Sequence, residues 1–303
     1  MGEIRKWNEH AGEVVDARGG FEVIACVHCG FRHVVPLPTE AELRDIYAHD
    51  YYVEDKPMYV EEATEDRPWW HLAYTRRYAT LESFLDGRVG RLLDVGSGPG
   101  YFLHTGGDRG WSVVGIEPST RAWEHSTSLG LQVHNRPFDA TVRDALGVFD
   151  VVHLSEVLEH LRDPAEAVRL ARDMLVPGGV LCVAVPNDYN PLQRAARDVV
   201  GLEPWWVAPP HHLNYFDFDS LEALVRNCGL QVLRRETSFP MELFLLMGDV
   251  YIGDAVLGRS CHGRRKSLEM RLAEAGLYDL WMEWLEAAAE RGLGRHAIVY
   301  ARR

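Results

Sequence analysis

Long hydrophobic runs are missing from this chain of 303 residues, and none approaches the roughly 18–20 apolar residues of a membrane-spanning helix. The first residues, Met-Gly-Glu-Ile-Arg-Lys, also lack the apolar core of a signal peptide. Cysteine is scarce, and five cysteines without an export signal are typical of reduced thiols rather than of a disulfide framework. We therefore expect a cytoplasmic protein that has no membrane partner.

A surplus of positive charge is missing as well. The chain carries 32 Lys and Arg residues against 45 Asp and Glu residues, for a net charge of −13. Binding to a nucleic acid backbone depends on Lys and Arg, so nucleic acid is not an expected partner. The sequence shows no internal repeat or low-complexity tract, and its hydrophobic content of 47% is that of a globular enzyme.

What the sequence does contain is a glycine-rich turn. Residues 92–103 read LLDVGSGPGYFL, in which an apolar strand ends at Asp94 and Gly96, Gly98 and Gly100 precede a helix. Glycines leave the backbone bare where a ligand lies against it. The pyrophosphate fingerprint has the spacing G-x-G-x-x-G, whereas an acid at this position suits a cationic ligand such as an ammonium group. A tight strand-to-helix turn without a ligand is the alternative interpretation.

Three further segments follow this turn in order. The second apolar run, Ser112–Ile116, is followed by Glu117, which lies 23 residues after Asp94. An acid at the tip of the second strand of a βαβ unit accepts hydrogen bonds from ribose hydroxyls. A third run covers Phe149–Leu154, and a Pro-Gly-Gly turn leads into a fourth at 179–185. The pattern predicts a nucleoside site at the ends of successive strands.

Together these motifs resemble the class I S-adenosylmethionine-dependent methyltransferases over about residues 88–187. The segment His211-His212-Leu-Asn-Tyr-Phe216 extends the resemblance toward ubiquinone-pathway O-methyltransferases and sugar methyltransferases. The resemblance implies an α/β fold with a doubly wound, mostly parallel seven-stranded sheet, with S-adenosylmethionine as cofactor and S-adenosylhomocysteine as product. It also implies donor-binding residues for the methionine part, the ribose, the adenine and the middle of the donor: Asp94, Gly96, Ser97, Gly98, Gly100, Glu117, Phe138, Leu154 and Ser155.

The chain is expected to divide into four parts. These are a Cys-x-x-Cys module at 1–55, an aromatic-rich helical lead-in at 56–87, a core at 88–238 plus 294–303, and a helical insertion at 239–293. Core strands are expected near 91–95, 112–116, 131–134, 149–154, 179–185 and 230–237, with a last strand at Arg295–Ala301. The resemblance implies that the last two strands form a hairpin. A long insertion at the edge of such a sheet is typical of a lid or an oligomer contact; the sequence does not set the oligomeric state.

The N-terminal module contains a thiolate knuckle, Cys26-Val-His-Cys29-Gly, which looks like half of a zinc ribbon. Two further ligands are needed, and the nearest candidates complete the set His10, Cys26, Cys29 and His33, with His28 as a substitute. Related sugar methyltransferases carry a zinc module with four cysteines, and this chain lacks the first pair. A knuckle without metal is the alternative.

A second candidate metal site follows the third apolar run. Glu156, Glu159 and His160 have the spacing that places three side chains on one face of a helix. Two carboxylates and an imidazole can bind a divalent cation. The same pattern occurs in metal-dependent O-methyltransferases, in which a later histidine completes the site; His211 or His212 matches that position. Alternatively, the acids stabilise the helix N-terminus and His160 is packed.

Candidate catalytic residues lie on a loop that follows Pro209-Pro210: His211, His212 and Tyr215. A histidine there can take the proton from an acceptor hydroxyl as its oxygen attacks the methyl group. The alternatives are a histidine pair that is hydrogen-bonded within the loop and a tyrosine that belongs to the core.

The insertion contains a basic cluster made of Arg259, His262, Arg264, Arg265 and Lys266. Such a cluster can clamp the phosphate of an acceptor such as a nucleotide sugar, or it can be a solvated helix face. The sequence thus predicts methyl transfer to a small, anionic acceptor, with a sugar or nucleotide sugar as the candidate. Two interpretations stay open beside it: a metal-dependent O-methyltransferase, and a non-catalytic binding module with a methyltransferase fold.

Overall fold

The computed structural model describes residues 3–39, 42–43 and 58–303. The module boundary expected between residues 55 and 56 lies outside these residues. No helix within the described ranges combines the length and the apolarity needed to cross a bilayer.

The N-terminal residues form a meander of four antiparallel strands, β1 (Ile4–Trp7), β2 (His10–Arg18), β3 (Phe21–Cys26) and β4 (Arg32–Val35). A fifth strand, β10 (Asn214–Tyr215), comes from the core of the chain and pairs with β4. The small sheet therefore has the order β1-β2-β3-β4-β10. The predicted module is joined to the core by backbone hydrogen bonds.

The large sheet has seven strands in the order β11-β12-β9-β8-β5-β6-β7. They are β5 (Arg91–Val95), β6 (Ser112–Ile116), β7 (Val133–His134), β8 (Phe149–Ser155), β9 (Leu175–Pro186), β11 (Gln231–Glu236) and β12 (His296–Arg302). Strand β12 runs antiparallel to both of its neighbours, and the other pairs are parallel. The expected doubly wound sheet is confirmed, and its last two strands pair as the resemblance implies.

Both faces of this sheet are buried, which explains why its strands are almost continuously apolar. Side chains alternate between the two faces with a period of two. Leu93 and Val95 of β5 therefore lie in one apolar cluster with Val152, whereas Leu92 lies in the other with Val151.

Helices cover the two faces. They are α1 (Tyr59–Glu65), α2 (Arg67–Phe84), α3 (Tyr101–Asp108), α4 (Thr120–Ser128), α5 (Ala140–Leu146), α6 (Pro164–Asp173), α7 (Pro191–Val200) and α8 (Phe218–Asn227). The insertion consists of α9 (Glu242–Leu246), α10 (Ala255–Glu274) and α11 (Tyr278–Ala289). In its described part the predicted helical lead-in consists of two helices, α1 and α2. The break falls just before Pro68, because proline has no backbone N–H to donate to a preceding helical turn.

Candidate active site

A cavity of about 1380 Å³ opens at the carboxyl ends of the parallel strands. It exceeds the roughly 300–1,000 Å³ of most small-molecule sites, so it has room for two ligands. We call one end the glycine-turn half, with walls from Asp94, Gly96, Glu117 and Phe138. The other end is the insertion half, with walls that α2, α10 and α11 supply: Trp69, Trp70, Tyr74, Arg265, Glu269, Tyr278 and Met282.

The glycine turn lies between β5 and α3, and two of its glycine positions cannot carry a side chain. Gly96 has a φ of +70°, and a Cβ there would lie 2.7 Å from Cγ2 of Val157. Gly100 has a φ of +84°, and its Cβ would meet Leu131 Cδ1 at 2.5 Å. Both positions therefore require glycine, and the turn stays close to the sheet with its backbone facing the cavity.

Glu117 binds this turn to the end of β6. Its Oε2 accepts a hydrogen bond from the backbone N–H of Gly98 at 2.8 Å, and its Oε1 accepts one from Ser119 at 2.7 Å. The side chain is only 2% exposed, and burial raises the pKa of Glu117 to about 7. Each carboxylate oxygen keeps a lone pair for a ligand hydroxyl.

Asp94 belongs to a chain of three polar side chains, of which Asp94 and His153 are buried and Arg77 is half-buried. Its Oδ1 lies 2.7 Å from Nδ1 of His153, and Nε2 of His153 lies 3.1 Å from Nη1 of Arg77. Because a guanidinium only donates, Nε2 must accept, and the ring proton sits on Nδ1 and is donated to Asp94. Burial lowers the pKa of His153, so the ring is neutral. The chain fixes the orientation of the Asp94 carboxylate at the cavity wall.

Sequence reasoning missed His153 and Arg77. The signal was a single polar residue in the otherwise apolar end of β8, because a buried histidine in such a strand needs partners on both ring nitrogens. Arg77 gave no local signal, because α2 is remote in sequence from the strands it covers.

The predicted donor-binding residues separate into two groups. The first group lies on the cavity wall: Asp94, Gly96, Ser97, Glu117, Phe138 and Ser155. The second group lies behind the wall: Gly98, Gly100 and Leu154. Gly98 acts through its amide on Glu117, and the side chain of Leu154 belongs to the apolar core.

The prediction that Glu156, Glu159 and His160 lie on one face of a helix is wrong. Glu156 has a φ of +56°, only a 3₁₀ turn follows at Leu158–His160, and α6 begins at Pro164. The strained backbone turns Glu156 toward His296, whose Nε2 lies 3.5 Å from Oε1 of Glu156. Ligand atoms of Glu159, His160 and His212 instead lie within 4.8 Å of one another.

The three predicted catalytic residues differ in whether they line the cavity. His212 lies on the cavity wall, with its ring edge-on to that of His160 at 5.1 Å. The carbonyl oxygen of His211 accepts a hydrogen bond from Nδ1 of His160 at 2.7 Å. Tyr215 is fully buried, and its hydroxyl donates to the carbonyl oxygen of His212 at 3.0 Å. Among the three, only His212 is part of the wall, and Tyr215 braces its loop.

The predicted zinc ligands converge on the small sheet. Nδ1 of His10 lies 3.3 Å from Sγ of Cys29 and 3.6 Å from Sγ of Cys26. In His33, which is buried, Nδ1 donates to the carbonyl oxygen of Val34 at 2.9 Å, so Nε2 carries a lone pair. His10, Cys26, Cys29 and His33 offer four ligand atoms within 4.8 Å of one another. Bonds of 2.0–2.3 Å in a tetrahedron place ligands roughly 3.3–3.8 Å apart, so the cluster fits zinc.

The basic cluster of the insertion is divided. Arg264 pairs with Asp249 at 2.6 Å, Lys266 pairs with Asp66, and Arg259 is exposed. His262 and Arg265 line the cavity. Nε2 of His262 lies 2.6 Å from Oδ2 of Asp66, so among the five residues the predicted anion clamp is reduced to Arg265.

Comparison with known proteins agrees with this arrangement. Residues 69–235 match the family model described as "Methyltransferase domain". The chain belongs to this family. The methyltransferase-domain chain is 35% identical over 130 residues to the ubiquinone biosynthesis O-methyltransferase of Caulobacter sp. (strain K31), covering 40% of this chain and 51% of that protein.

Two further similarities are more distant. The chain is 33% identical over 156 residues to the ubiquinone biosynthesis O-methyltransferase of Cereibacter sphaeroides (strain ATCC 17029 / ATH 2.4.9), covering 48% of this chain and 62% of that protein. It thus spans about half to three-fifths of the length of these relatives. A SAM-dependent methyltransferase structure from Archaeoglobus fulgidus has a TM-score of 0.53 at 16% identity and covers 84% of this chain and 100% of its own, which shows a shared fold.

Proposed function

We propose that this chain transfers the methyl group of S-adenosylmethionine to a small-molecule acceptor. The observation that carries the proposal is the pair of buried carboxylates, Asp94 and Glu117, at the ends of adjacent strands and on either side of the glycine turn. When bound, S-adenosylmethionine supplies a methyl group activated by a sulfonium. Carboxylates at this end of the cavity suit the ammonium and the ribose hydroxyls of that donor.

Four residues of the cavity wall are proposed to hold the donor: Asp94, Glu117, Phe138 and Ser155. Asp94, oriented by His153, would accept from the donor ammonium. Glu117, anchored by two backbone N–H groups, would accept from the ribose hydroxyls. Phe138 and Ser155 line the cavity and would contact the adenine and the middle of the donor. The enzyme's contribution is to align donor and acceptor and to exclude water.

The acceptor side supports a small, anionic molecule, with a sugar or nucleotide sugar as candidate. The cavity volume leaves room beside the donor, and Arg265 contributes a positive charge at the far end. His212 is the proposed base, because it is the member of the predicted catalytic set on the wall. A base in contact with the acceptor should contribute about 10²–10⁴-fold to turnover.

A metal-dependent O-methyltransferase is the second candidate, favoured by the convergence of Glu159, His160 and His212. A carboxylate and two imidazoles suit a divalent transition-metal ion, which would bind the acceptor oxygen. A chelator too weak to remove the proposed structural zinc separates the two versions: it should abolish turnover if a metal binds at Glu159, His160 and His212, and leave turnover intact if His212 acts as a base. His212→Ala should lower turnover at least about tenfold in both versions, with donor affinity within about threefold of the unchanged protein.

We also propose one structural zinc ion bound by His10, Cys26, Cys29 and His33. The support is the unpaired, buried Nε2 of His33 together with the two thiols around Nδ1 of His10. His28 is exposed, and its ring lies edge-on to that of His10 outside the cluster, so we leave it out of the proposed ligand set.

Calorimetric titration with S-adenosylhomocysteine tests the proposed function directly. Saturable binding at one site per chain supports it, and Asp94→Asn should weaken that binding. Absence of binding at millimolar ligand would contradict it. Binding without turnover, after a screen of small anionic acceptors that includes a nucleoside diphosphate sugar, would instead favour a non-catalytic binding module.

A further inference from the structure

The insertion half of the cavity contains a buried guanidinium whose hydrogen-bonding capacity is not filled. Arg265 is 6% exposed, and its Nε has no hydrogen-bond partner among the residues that the structure describes. Its carboxylate neighbour, Glu269, has Oε1 at 3.9 Å from that Nε, which is too far for a hydrogen bond. The other oxygen of Glu269 accepts the indole N–H of Trp69.

This guanidinium stays charged in spite of its burial. Burial lowers the pKa of Arg265, but arginine does not deprotonate in proteins. A buried charged donor without an acceptor costs free energy unless a ligand completes its hydrogen bonds. The site is therefore incomplete in the way expected of a surface that binds an anion.

Trp69 orients Arg265. The Cζ of Arg265 lies 4.5 Å from the centre of the Trp69 ring, and both side chains line the cavity. Contact of a guanidinium with an aromatic ring fixes its position and leaves N–H groups for a planar oxyanion. Carboxylates and phosphates accept such N–H groups in pairs.

Much of the rest of this half consists of aromatic and thioether side chains, and the carboxylates of Glu236 and Glu269 already accept hydrogen bonds. Glu236 accepts from the hydroxyls of Thr80 at 2.9 Å and Tyr300 at 2.7 Å. The ring- and thioether-bearing wall residues are Trp69, Trp70, Tyr74, Tyr251, Tyr278, Met241 and Met282. Arg77 adds a half-buried guanidinium to the cavity wall.

The carboxylates of Asp94 and Glu117 line the glycine-turn half, whereas in the insertion half Glu236 and Glu269 already accept hydrogen bonds and Arg265 keeps an N–H group without an acceptor among the described residues. We propose that the insertion half binds an aromatic molecule through a carboxylate or phosphate, which Arg265 holds while the aromatic wall holds the ring. That this molecule is the methyl acceptor rests on the proposed function; the binding itself does not.

The experiment titrates the full chain, saturated with S-adenosylhomocysteine, with benzoate, phenyl phosphate and benzyl alcohol, and follows binding by calorimetry. We expect saturable binding of an aromatic anion and much weaker binding of benzyl alcohol. Preference for benzoate or for phenyl phosphate identifies the oxyanion. Arg265→Gln should weaken binding of the preferred anion by about tenfold or more, because hydrogen bonds to a charged group are lost.

Two matched variants test whether the loss of anion affinity is specific to the Arg265 guanidinium. Arg264→Gln changes the next residue of α10, whose side chain pairs with Asp249 at 2.6 Å, and should leave anion affinity unchanged. Arg265→Lys keeps the charge without the planar fork and should give an intermediate loss. Unchanged S-adenosylhomocysteine affinity shows that these variants are folded.

Two results would overturn the proposal. One is a chain that binds S-adenosylhomocysteine but neither aromatic anion, and the other is anion binding that Arg265→Gln and Arg265→Lys leave unchanged. Both leave the proposed function intact. Failure of S-adenosylhomocysteine to bind would contradict the proposed function, and the same anion titrations without it would still test the Arg265 site.

Discussion

Glu117 and Gly98 are joined by a hydrogen bond of 2.8 Å from the glycine N–H to the carboxylate. The acid after β6 therefore positions the turn after β5, in addition to facing the cavity. Two motifs that are 19 residues apart in the chain form one binding surface. A change in either one should alter the other, and donor binding should report on both.

Replacement of Glu117 by Ala should weaken S-adenosylhomocysteine binding about 30- to 1000-fold. The reason is the loss of ribose hydrogen bonds to a charged group, each of which contributes roughly 1.5–3 kcal/mol. Calorimetry measures the change, with Asp139→Ala as a control at a cavity-lining acid whose side chain caps the N-terminus of α5. An affinity that stays within threefold would remove Glu117 from the ribose site.

Donor affinity should rise with pH through about 7. In the free protein burial raises the pKa of Glu117 to about 7, so the side chain is increasingly protonated below that pH. The ribose hydroxyls require the ionised form, so binding at pH 6 should release a proton, and affinity should fall by up to about tenfold per pH unit below 7. Titrations in two buffers of different ionisation heat measure this release. Glu117→Ala should abolish the dependence, and a wild-type affinity that is flat from pH 5.5 to 8 would contradict the assignment.

His153 should act as a positioning residue for Asp94. His153→Phe leaves the carboxylate of Asp94 without its neutral donor and Arg77 without its acceptor, and should cost about tenfold or more in S-adenosylhomocysteine affinity. His153→Asn keeps an N–H donor near the position of Nδ1 and should restore part of the affinity. Equal loss in both variants would indicate a packing role only.

Removal of zinc should destabilise the small sheet. Elemental analysis of protein purified without added metal should give about one zinc per chain, and a chelator should lower the melting temperature, because metal binding to folded ligands contributes folding free energy. His33→Ala should lower the zinc content, whereas His28→Ala, a histidine outside the cluster, should not. A metal content near zero, with a melting temperature indifferent to chelator, would leave the cluster without metal.

The large sheet could be predicted because its strands carry local signals. Apolar runs ending in acids or in glycines identify β5, β6 and β8 within one or two residues. Strand β7 is shorter than predicted, Val133–His134 in place of 131–134, and β9 is longer, since it begins at Leu175 ahead of the Pro-Gly-Gly turn. Such end positions depend on neighbouring strands and not on local sequence.

Side-chain partners across the fold could not be predicted. The i, i+3, i+4 spacing of Glu156, Glu159 and His160 describes a helix, and the backbone at Glu156 instead adopts a positive φ. The contact of Arg265 with Trp69 joins residues 196 positions apart, which no local pattern reports. The convergence of Cys26, Cys29 and His33 with His10 was predictable because Cys26 and Cys29 form a local motif, with His33 only four residues farther on.

Strand β10, which pairs with β4, connects the small sheet to the loop that carries His212 at the cavity wall. Val34 of β4 donates its N–H to the carbonyl oxygen of Leu213 at 2.9 Å, and Leu213 donates its own N–H to the carbonyl oxygen of Glu159 at 2.7 Å. His33, a proposed zinc ligand, lies directly opposite Asn214 in the strand pairing. The loop that presents His212 is thus clamped between the small sheet and the turn that carries His160. A chain whose first four strands were deleted would keep every proposed donor-binding residue and lose the β4 contacts that hold the loop of His212.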